Sequence, residues 1–258
     1  MRSLPLKQKL QSRQPTFGSW IVSYDVTVAE TMAYAGFDWL IFDLEHAPIS
    51  LERLEAMLMV FKGLDCVPIV RVPWNDITST KVVLDIGAEA IMLPMINSRE
   101  EAERAVRLCK FPPRGVRGIN PRRANAQGEG DRYLLDANER VMVIVQIEHI
   151  DAVEHAEEIL TTPGVDVALI GRADLTGSMG LAPDWRNPRV EEAVEHVLAT
   201  AVRLGIPAAL HAADEREAAY WIERGAAMIW TSGDLAYLQS AAVASVRRFR
   251  ELTAGVAR

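Results

Sequence analysis

The sequence predicts a (β/α)8 barrel, an α/β TIM-barrel architecture, and three observations predict it. Short apolar, β-branched runs recur along the whole chain, each followed by a segment of helical periodicity. There are eight such units, with no internal sequence repeat and no compositional break that would mark a linker. No G-x-G-x-x-G follows the first run, which disfavours the open doubly wound sheet that shares this alternation. The expectation is a single domain over residues 1–258, a length barrels of this class commonly have.

Each element has its local reason. Residues 16–23 and 39–42 form the first two strands, separated by a helix over about 26–35. Ser50 is an N-cap before Leu51, with Glu52 and Arg53 in the first turn. Strand 67–70 precedes a helix that stops at Gly87, a C-cap position. Strand 90–93 is closed by Pro94, and Ser98 caps a charged helix to about Cys109. From 110 to 138 the pattern lapses into a long loop rich in Gly, Pro and Arg, with a short helical possibility near Tyr133. Strands 141–146 and 167–170 flank a helix carrying Ile150, Val153, Ile159 and Leu160, which Thr162-Pro163-Gly164 ends. After Gly177-Ser178-Met179-Gly180, read as loop, come helix 188–204, strand 208–210, a helix to Arg224, strand 228–230 and a last helix over about 234–252.

Composition narrows the class. A formal charge of -7 and a pI near 5.4 argue against nucleic acid or an anionic membrane as main partner. No run approaches the ~20 apolar residues of a spanning helix. The charged opening MRSLPLKQKLQSRQ lacks a secretory h-region, and Cys66 and Cys109 stand far apart in no metal spacing. A cytoplasmic protein with reduced thiols is expected.

The chemistry sits just past the strands: Glu45 and His46, Arg71, Gln146 and Glu148, Asp174, and His211. In a barrel these ring one mouth, the end where active sites are built. A single carboxylate there could merely cap the next helix. Two on adjacent strands, with an arginine and a histidine nearby, point instead to a hard divalent cation such as Mg²⁺ or Mn²⁺ that leaves positions open for a chelating substrate. Arg71 suits developing oxyanion charge, or pairs with Asp43 or Glu45. On spacing alone Asp85 is a surface carboxylate, and His149, His155 and His196 lie on helix faces as structural residues. Lys7, Lys9, Lys62, Lys81 and Lys110 all avoid strand ends, so a Schiff base has no obvious nucleophile. There is no P-loop and no G-x-S-x-G elbow.

The ordered segments FDWLIFDLEHAP, VRVPWND, LDIGAEAIMLPM, FPPRGVRG, VQIE and IGRADLTGSMG resemble the HpcH/HpaI aldolase family over about residues 15–250. The resemblance implies a carbon–carbon lyase: a class II pyruvate aldolase on a (β/α)8 barrel, dependent on Mg²⁺, Mn²⁺ or Co²⁺. It also implies a homo-oligomer, usually a hexamer with an exchanged C-terminal helix. By motif, Glu148 and Asp174 bind the metal, and Gln146, Ala173 and Asp174 hold pyruvate. His46 is the base, Asp85 raises its basicity, and Arg71 stabilises the enolate.

Departures from the family pattern bear on substrate choice. Arg172 stands where proline is common, Leu44 where glycine is common, and Asn120-Pro121-Arg122-Arg123 replaces a glycine-rich stretch. The arginines of the 114–130 loop suggest an acceptor side that tolerates polar or anionic aldehydes. Two alternatives stay open on the same barrel: a citrate-lyase-like cleavage of a CoA thioester, with the arginines near Arg122 as its nucleotide surface, and an oxaloacetate decarboxylase. A remoter one is a barrel kept for binding only.

Overall fold

A computed structural model of the chain describes residues 3–125 and 131–256. Eight parallel strands close into a barrel in sequence order. They are β1 Thr16–Ile21, β2 Trp39–Asp43, β3 Val67–Arg71, β4 Ala90–Leu93, β5 Met142–Ile147, β6 Val167–Ile170, β7 Ala208–His211 and β8 Met228–Gly233. The helices described are α1 Ser3–Gln11, α2 Val26–Ala33, α3 Leu51–Val60, α4 Ile77–Asp85, α5 Arg99–Cys109, α6 Arg122–Asn125 and α7 Asp131–Arg140. They continue as α8 Ile150–Glu154, α9 Ala156–Leu160, α10 Arg172–Ser178, α11 Pro188–Leu204, α12 Glu215–Glu223 and α13 Asp234–Val256. The predicted fold class holds.

Alternation along each strand sorts the core into two layers. Leu40, Phe42, Val70, Ile91, Val143 and Val145 pack outward under the helices, while Trp39, Ile41, Ile69, Met92, Ile144 and Leu169 fill the barrel interior. Trp39 is fully buried and donates from Nε1 to Thr16 Oγ1 at 3.1 Å. Its indole lies where any side chain on Gly18 would stand, since a Cβ there would come within 2.1 Å of the ring. Glycine in the first strand is thus the condition for tryptophan in the second.

Capping aims the helices. Asp25, Ser50, Asp76, Ser98, Asn187 and Asp214 accept hydrogen bonds from first-turn N–H groups of the helices they precede. These helices therefore begin at the carboxyl ends of the strands and finish at the other end. Ser50 and Ser98 are the caps expected. β5 and β6 pair with Gln146 opposite Leu169 and Ile147 opposite Ile170. That register brings Glu148 and the turn at Gly171 out of the barrel side by side.

The structure adds one element and corrects three expectations. The charged N-terminus is a helix whose Leu6 and Leu10, four apart, join the interior cluster and cover the amino-terminal end of the barrel. The 110–138 segment contains α6 and α7 rather than one long loop, and Phe111, Tyr133 and Ala137 form their own small core. Gly177 and Ser178, read as loop, close the helix α10, and α13 continues to Val256 rather than stopping near 252. Among the described residues no helix is long and apolar enough to cross a membrane.

Cys66 and Cys109 are free and buried. Burial pushes both thiols up to about 12, which leaves them protonated and inert.

Candidate active site

A cavity of about 690 Å³ opens at the carboxyl ends of the strands. Of the residues singled out from sequence, His46, Arg71, Gln146, Ala173, Asp174 and His211 line it. Glu148 lies just beneath, 2% exposed.

Asp43 organises one side. Its Oδ1 accepts from Arg71 Nε at 3.0 Å and its Oδ2 from Arg71 Nη2 at 2.7 Å, a two-point clamp that fixes the guanidinium plane. The same Oδ1 takes the backbone N–H groups of Glu45 and His46 at 3.0 and 3.2 Å. One carboxylate thereby sets both the arginine and the turn that carries the histidine. Burial opposes ionisation of Asp43, but the Arg71 hydrogen bonds and charge with these two N–H groups outweigh it and hold its carboxyl below the ordinary value. Arg71 also pairs with Glu45 at 3.0 Å and sits 4.5 Å over the Trp20 ring. Arg71 is thus paired with two carboxylates and still lines the cavity. His46 projects outward with its side chain 61% exposed, and Nε2 is 3.8 Å from Glu45.

Glu148 organises the other side. Its Oε1 accepts from the backbone N–H of Met95 at 2.8 Å, and its Oε2 accepts from Gln146 Nε2. Met95 presents that N–H from a left-handed conformation, φ 53°, a strained choice for such a residue. Gly171 packs against the pair so closely that a Cβ would fall 2.8 Å from Glu148 Cβ and Oε2 and 3.1 Å from Gln146 Nε2. Asp174 follows in the first turn of α10. Burial raises the Glu148 carboxyl to about 7; the Met95 N–H opposes this, and the nearby carboxylates of Asp174 and Glu45 add to it.

This half of the site fits a divalent metal. The donors are all oxygen, the carboxylates are crowded and one is desolvated, and the Gln146 Oε1 atom is buried without a hydrogen-bond partner. Glu148 and Asp174 are the residues that would hold the ion. Among the described residues no cluster of three or more His, Cys, Asp or Glu has ligand geometry.

Other assignments fare differently. Asp85 closes α4 at the amino-terminal end of the barrel, away from His46, and its Oδ1 accepts from Arg117 Nη2 at 2.9 Å. Arg117 is fully buried between the rings of Phe111 and Tyr133. Within one chain, then, Asp85 does not act on His46. Arg123 is at that same remote end, donating to the Ile86 carbonyl and facing Glu55. The expectation that the 114–130 loop shapes the acceptor side fails for a single chain, because α5 delivers its end to the wrong face; residues 126–130 lie outside the described residues. Arg172 turns from the cavity centre to Glu217 at 3.0 Å and Glu191 at 3.3 Å. His211 donates from Nε2 to the Thr231 carbonyl at 3.3 Å, and burial lowers its basicity.

Four lining residues escaped the sequence reading: Trp20, Trp185, Arg186 and Trp230. Trp20 and Trp230 lie within strands, where an indole reads as core. Only the place of Trp20 near the carboxyl end of β1 signals a site.

Residues 16–241 match the family model described as HpcH/HpaI aldolase/citrate lyase. A protein of Shigella boydii serotype 18 named 5-keto-4-deoxy-D-glucarate aldolase is 34% identical over 247 residues, 93% of this chain and 96% of that one. Among solved structures, an HpcH/HpaI aldolase/citrate lyase family protein from Burkholderia cenocepacia J2315 superposes with TM-score 0.91 at 37% identity, covering 95% of this chain and 99% of that one. The structure titled citrate synthase SbnG gives TM-score 0.87 at 27% identity, covering 96% and 98%.

Proposed function

The chain belongs to the HpcH/HpaI aldolase/citrate lyase family and is a carbon–carbon lyase of the class II aldolase kind; from that premise we propose that it reversibly adds pyruvate to an aldehyde, giving a 4-hydroxy-2-oxo acid. One observation carries the reading. A clamped arginine, an exposed histidine and a pair of crowded carboxylates meet in one cavity at the carboxyl end of the barrel.

The roles follow from placement. Glu148 and Asp174 would hold a divalent cation (Mg²⁺, Mn²⁺ or Co²⁺), which would supply polarisation of the 2-oxo acid and make its methyl protons more acidic. Gln146 and the backbone N–H groups of Ala173 and Asp174, first-turn donors with no carbonyl to reach inside α10, orient the oxo acid. His46, exposed and beside Glu45, takes a methyl proton through water. Arg71, fixed by Asp43, faces the oxygen on which negative charge develops. The enolate carbon then bonds to the aldehyde carbon, and the resulting alkoxide takes up a proton. In reverse, the same groups break the C3–C4 bond.

A homo-oligomer belongs to the proposal. α13 packs on β1 and β8 but leaves Leu238, Val243, Val246, Phe249 and Leu252 exposed, an apolar face that a second copy would cover. Asp85 can serve His46 only across such a contact between copies. The CoA-thioester alternative stays within the same family, and within one chain Arg123 of its nucleotide surface lies at the end of the barrel opposite the cavity.

The test is exchange of pyruvate methyl protons for deuterium, followed by NMR, on chelator-treated protein and after adding Mg²⁺, Mn²⁺ or Co²⁺. Exchange should vanish with the metal and return with it. Borohydride added with pyruvate should leave no adduct; a lysine adduct in the mass spectrum would overturn the class II assignment.

A further inference from the structure

The cavity has a second wall that the donor chemistry does not use. Trp20 and Trp230 meet edge to face with centroids 6.0 Å apart, and His211 lies 5.9 Å from Trp230. Trp185 joins them from the loop before α11, half-exposed. Trp20, Val22, His211 and Trp230 also line an adjoining hollow of about 590 Å³ that runs on to Leu235 and Ala236 at the start of α13. The side chains lining that hollow include no Asp, Glu, Lys or Arg.

The cations at this end of the cavity are already matched. Arg186 makes a two-point pair with Glu217 at 2.6 and 2.7 Å, and its Nη1 is 3.5 Å from Glu191. Arg172 spends its guanidinium on the same two carboxylates. Two arginines against two glutamates leave no net charge for an anionic substrate. Arg71 is held by Asp43 and Glu45. Burial keeps the His211 imidazole neutral near pH 7.

We infer that the acceptor is an uncharged aldehyde with an aromatic or apolar body, lying along Trp20, Trp230 and His211 and extending toward Leu235. The inference rests on the proposed aldol reaction and adds the class of its second substrate. Flat apolar surface against indole gains both area burial and ring–ring contact. A carboxylate on the acceptor would lose its water in a hollow whose lining side chains offer it no cation.

Two measurements test it. With pyruvate saturating and Mg²⁺ present, kcat/KM is compared for 3-phenylpropanal and 2-methylpropanal against glyoxylate and succinic semialdehyde. Neutral aldehydes should win, and Trp230→Leu or the more exposed Trp185→Ala should raise KM for 3-phenylpropanal about tenfold, the scale of one lost aromatic contact. Tryptophan fluorescence of the purified full chain is then titrated with benzyl alcohol and with benzoate. Benzyl alcohol should give a saturable change that either variant weakens, and benzoate should not. If pyruvate protons exchange but the acidic aldehydes are preferred, the inference falls while the aldol reading stands. If no proton exchange occurs, the aldol reading falls, and the titration decides the wall: equal binding of benzoate, or binding untouched by both variants, overturns it.

Discussion

Glu148 offers the most direct test of the electrostatics, because its prediction concerns stability and needs no substrate. The perturbation is Glu148→Gln, which keeps shape and removes the ionisable group. An ordinary glutamate titrates at 4.5, and burial with crowding carboxylates raises this one to about 7. Between those values the folded chain binds a proton that the unfolded chain has lost, so stability falls as pH rises through the window. At about 1.4 kcal/mol per pH unit, the gap is worth about 3 kcal/mol. With the residue 2% exposed, no discount for solvent screening is due. The assay is urea unfolding of chelator-treated protein at pH 5 and pH 8, wild type against Glu148→Gln. The wild type should lose about 3 kcal/mol more than the variant over that interval. His211 shifts the opposite way, its lowered basicity making stability rise with pH below 6.5, but both proteins carry it and the subtraction cancels it. Saturating Mg²⁺ favours the ionised carboxylate and should flatten the wild-type slope. Equal slopes for wild type and variant without metal would refute the argument from burial. A slope that Mg²⁺ leaves unchanged would refute the metal assignment alone.

Other outcomes follow from the same geometry. His46→Ala should slow pyruvate proton exchange by ~10²–10⁴-fold while sparing much of any oxaloacetate decarboxylation, which needs no proton abstraction; NMR exchange beside a decarboxylation assay reads both, and wild-type exchange in the variant would remove His46 as base. Arg71→Ala should depress both reactions by about 3 kcal/mol, since charge on the enolate oxygen is common to them. Arg117→Met breaks a buried ion pair and should cost roughly 3 kcal/mol in urea unfolding, with Asp85→Asn added to it recovering most of the loss. Glu217→Gln unbalances the pairing of Arg186 and Arg172, so kcat/KM for glyoxylate should rise by about 1.4 kcal/mol, or tenfold.

How much of this was legible in the sequence depends on how local each signal is. Strand and helix periodicity is set by neighbours in the chain, so the eight units and the caps Ser50 and Ser98 could be read directly. α1 hid because its described core contacts, Leu6 and Leu10, are two apolar residues in a charged segment, and the interior they enter is built by distant strands. α10 hid behind Gly171, and its end at Gly177 and Ser178 reads as loop; Gly171 is required by Glu148 and Gln146, which precede it by more than twenty positions. The ring at the mouth was legible for a different reason. A polar residue at or just beyond the carboxyl end of a buried strand has one place to go, and Arg71, Gln146, Asp174 and His211 all line the cavity there.

Asp85 shows where that rule ends. Its motif, LDIG, carries as much sequence information as VQIE, yet the two lie at opposite ends of the barrel. The difference is the type of element each closes. In a parallel barrel every strand finishes at the mouth and every connecting helix finishes at the base. A residue at the end of a strand can therefore join the cavity, and one at the end of a helix faces away from it. Asp85 ends α4, and its ion pair with Arg117, a residue of the segment between α5 and α6, is the contact that position dictates. Trp20 makes the converse case: an indole that looks like core but sits near the carboxyl end of β1, against Trp230 of β8. Sorting each polar or aromatic residue by the end of the element it occupies separates cavity from scaffold here better than residue type does, and it places the acceptor wall where no motif pointed.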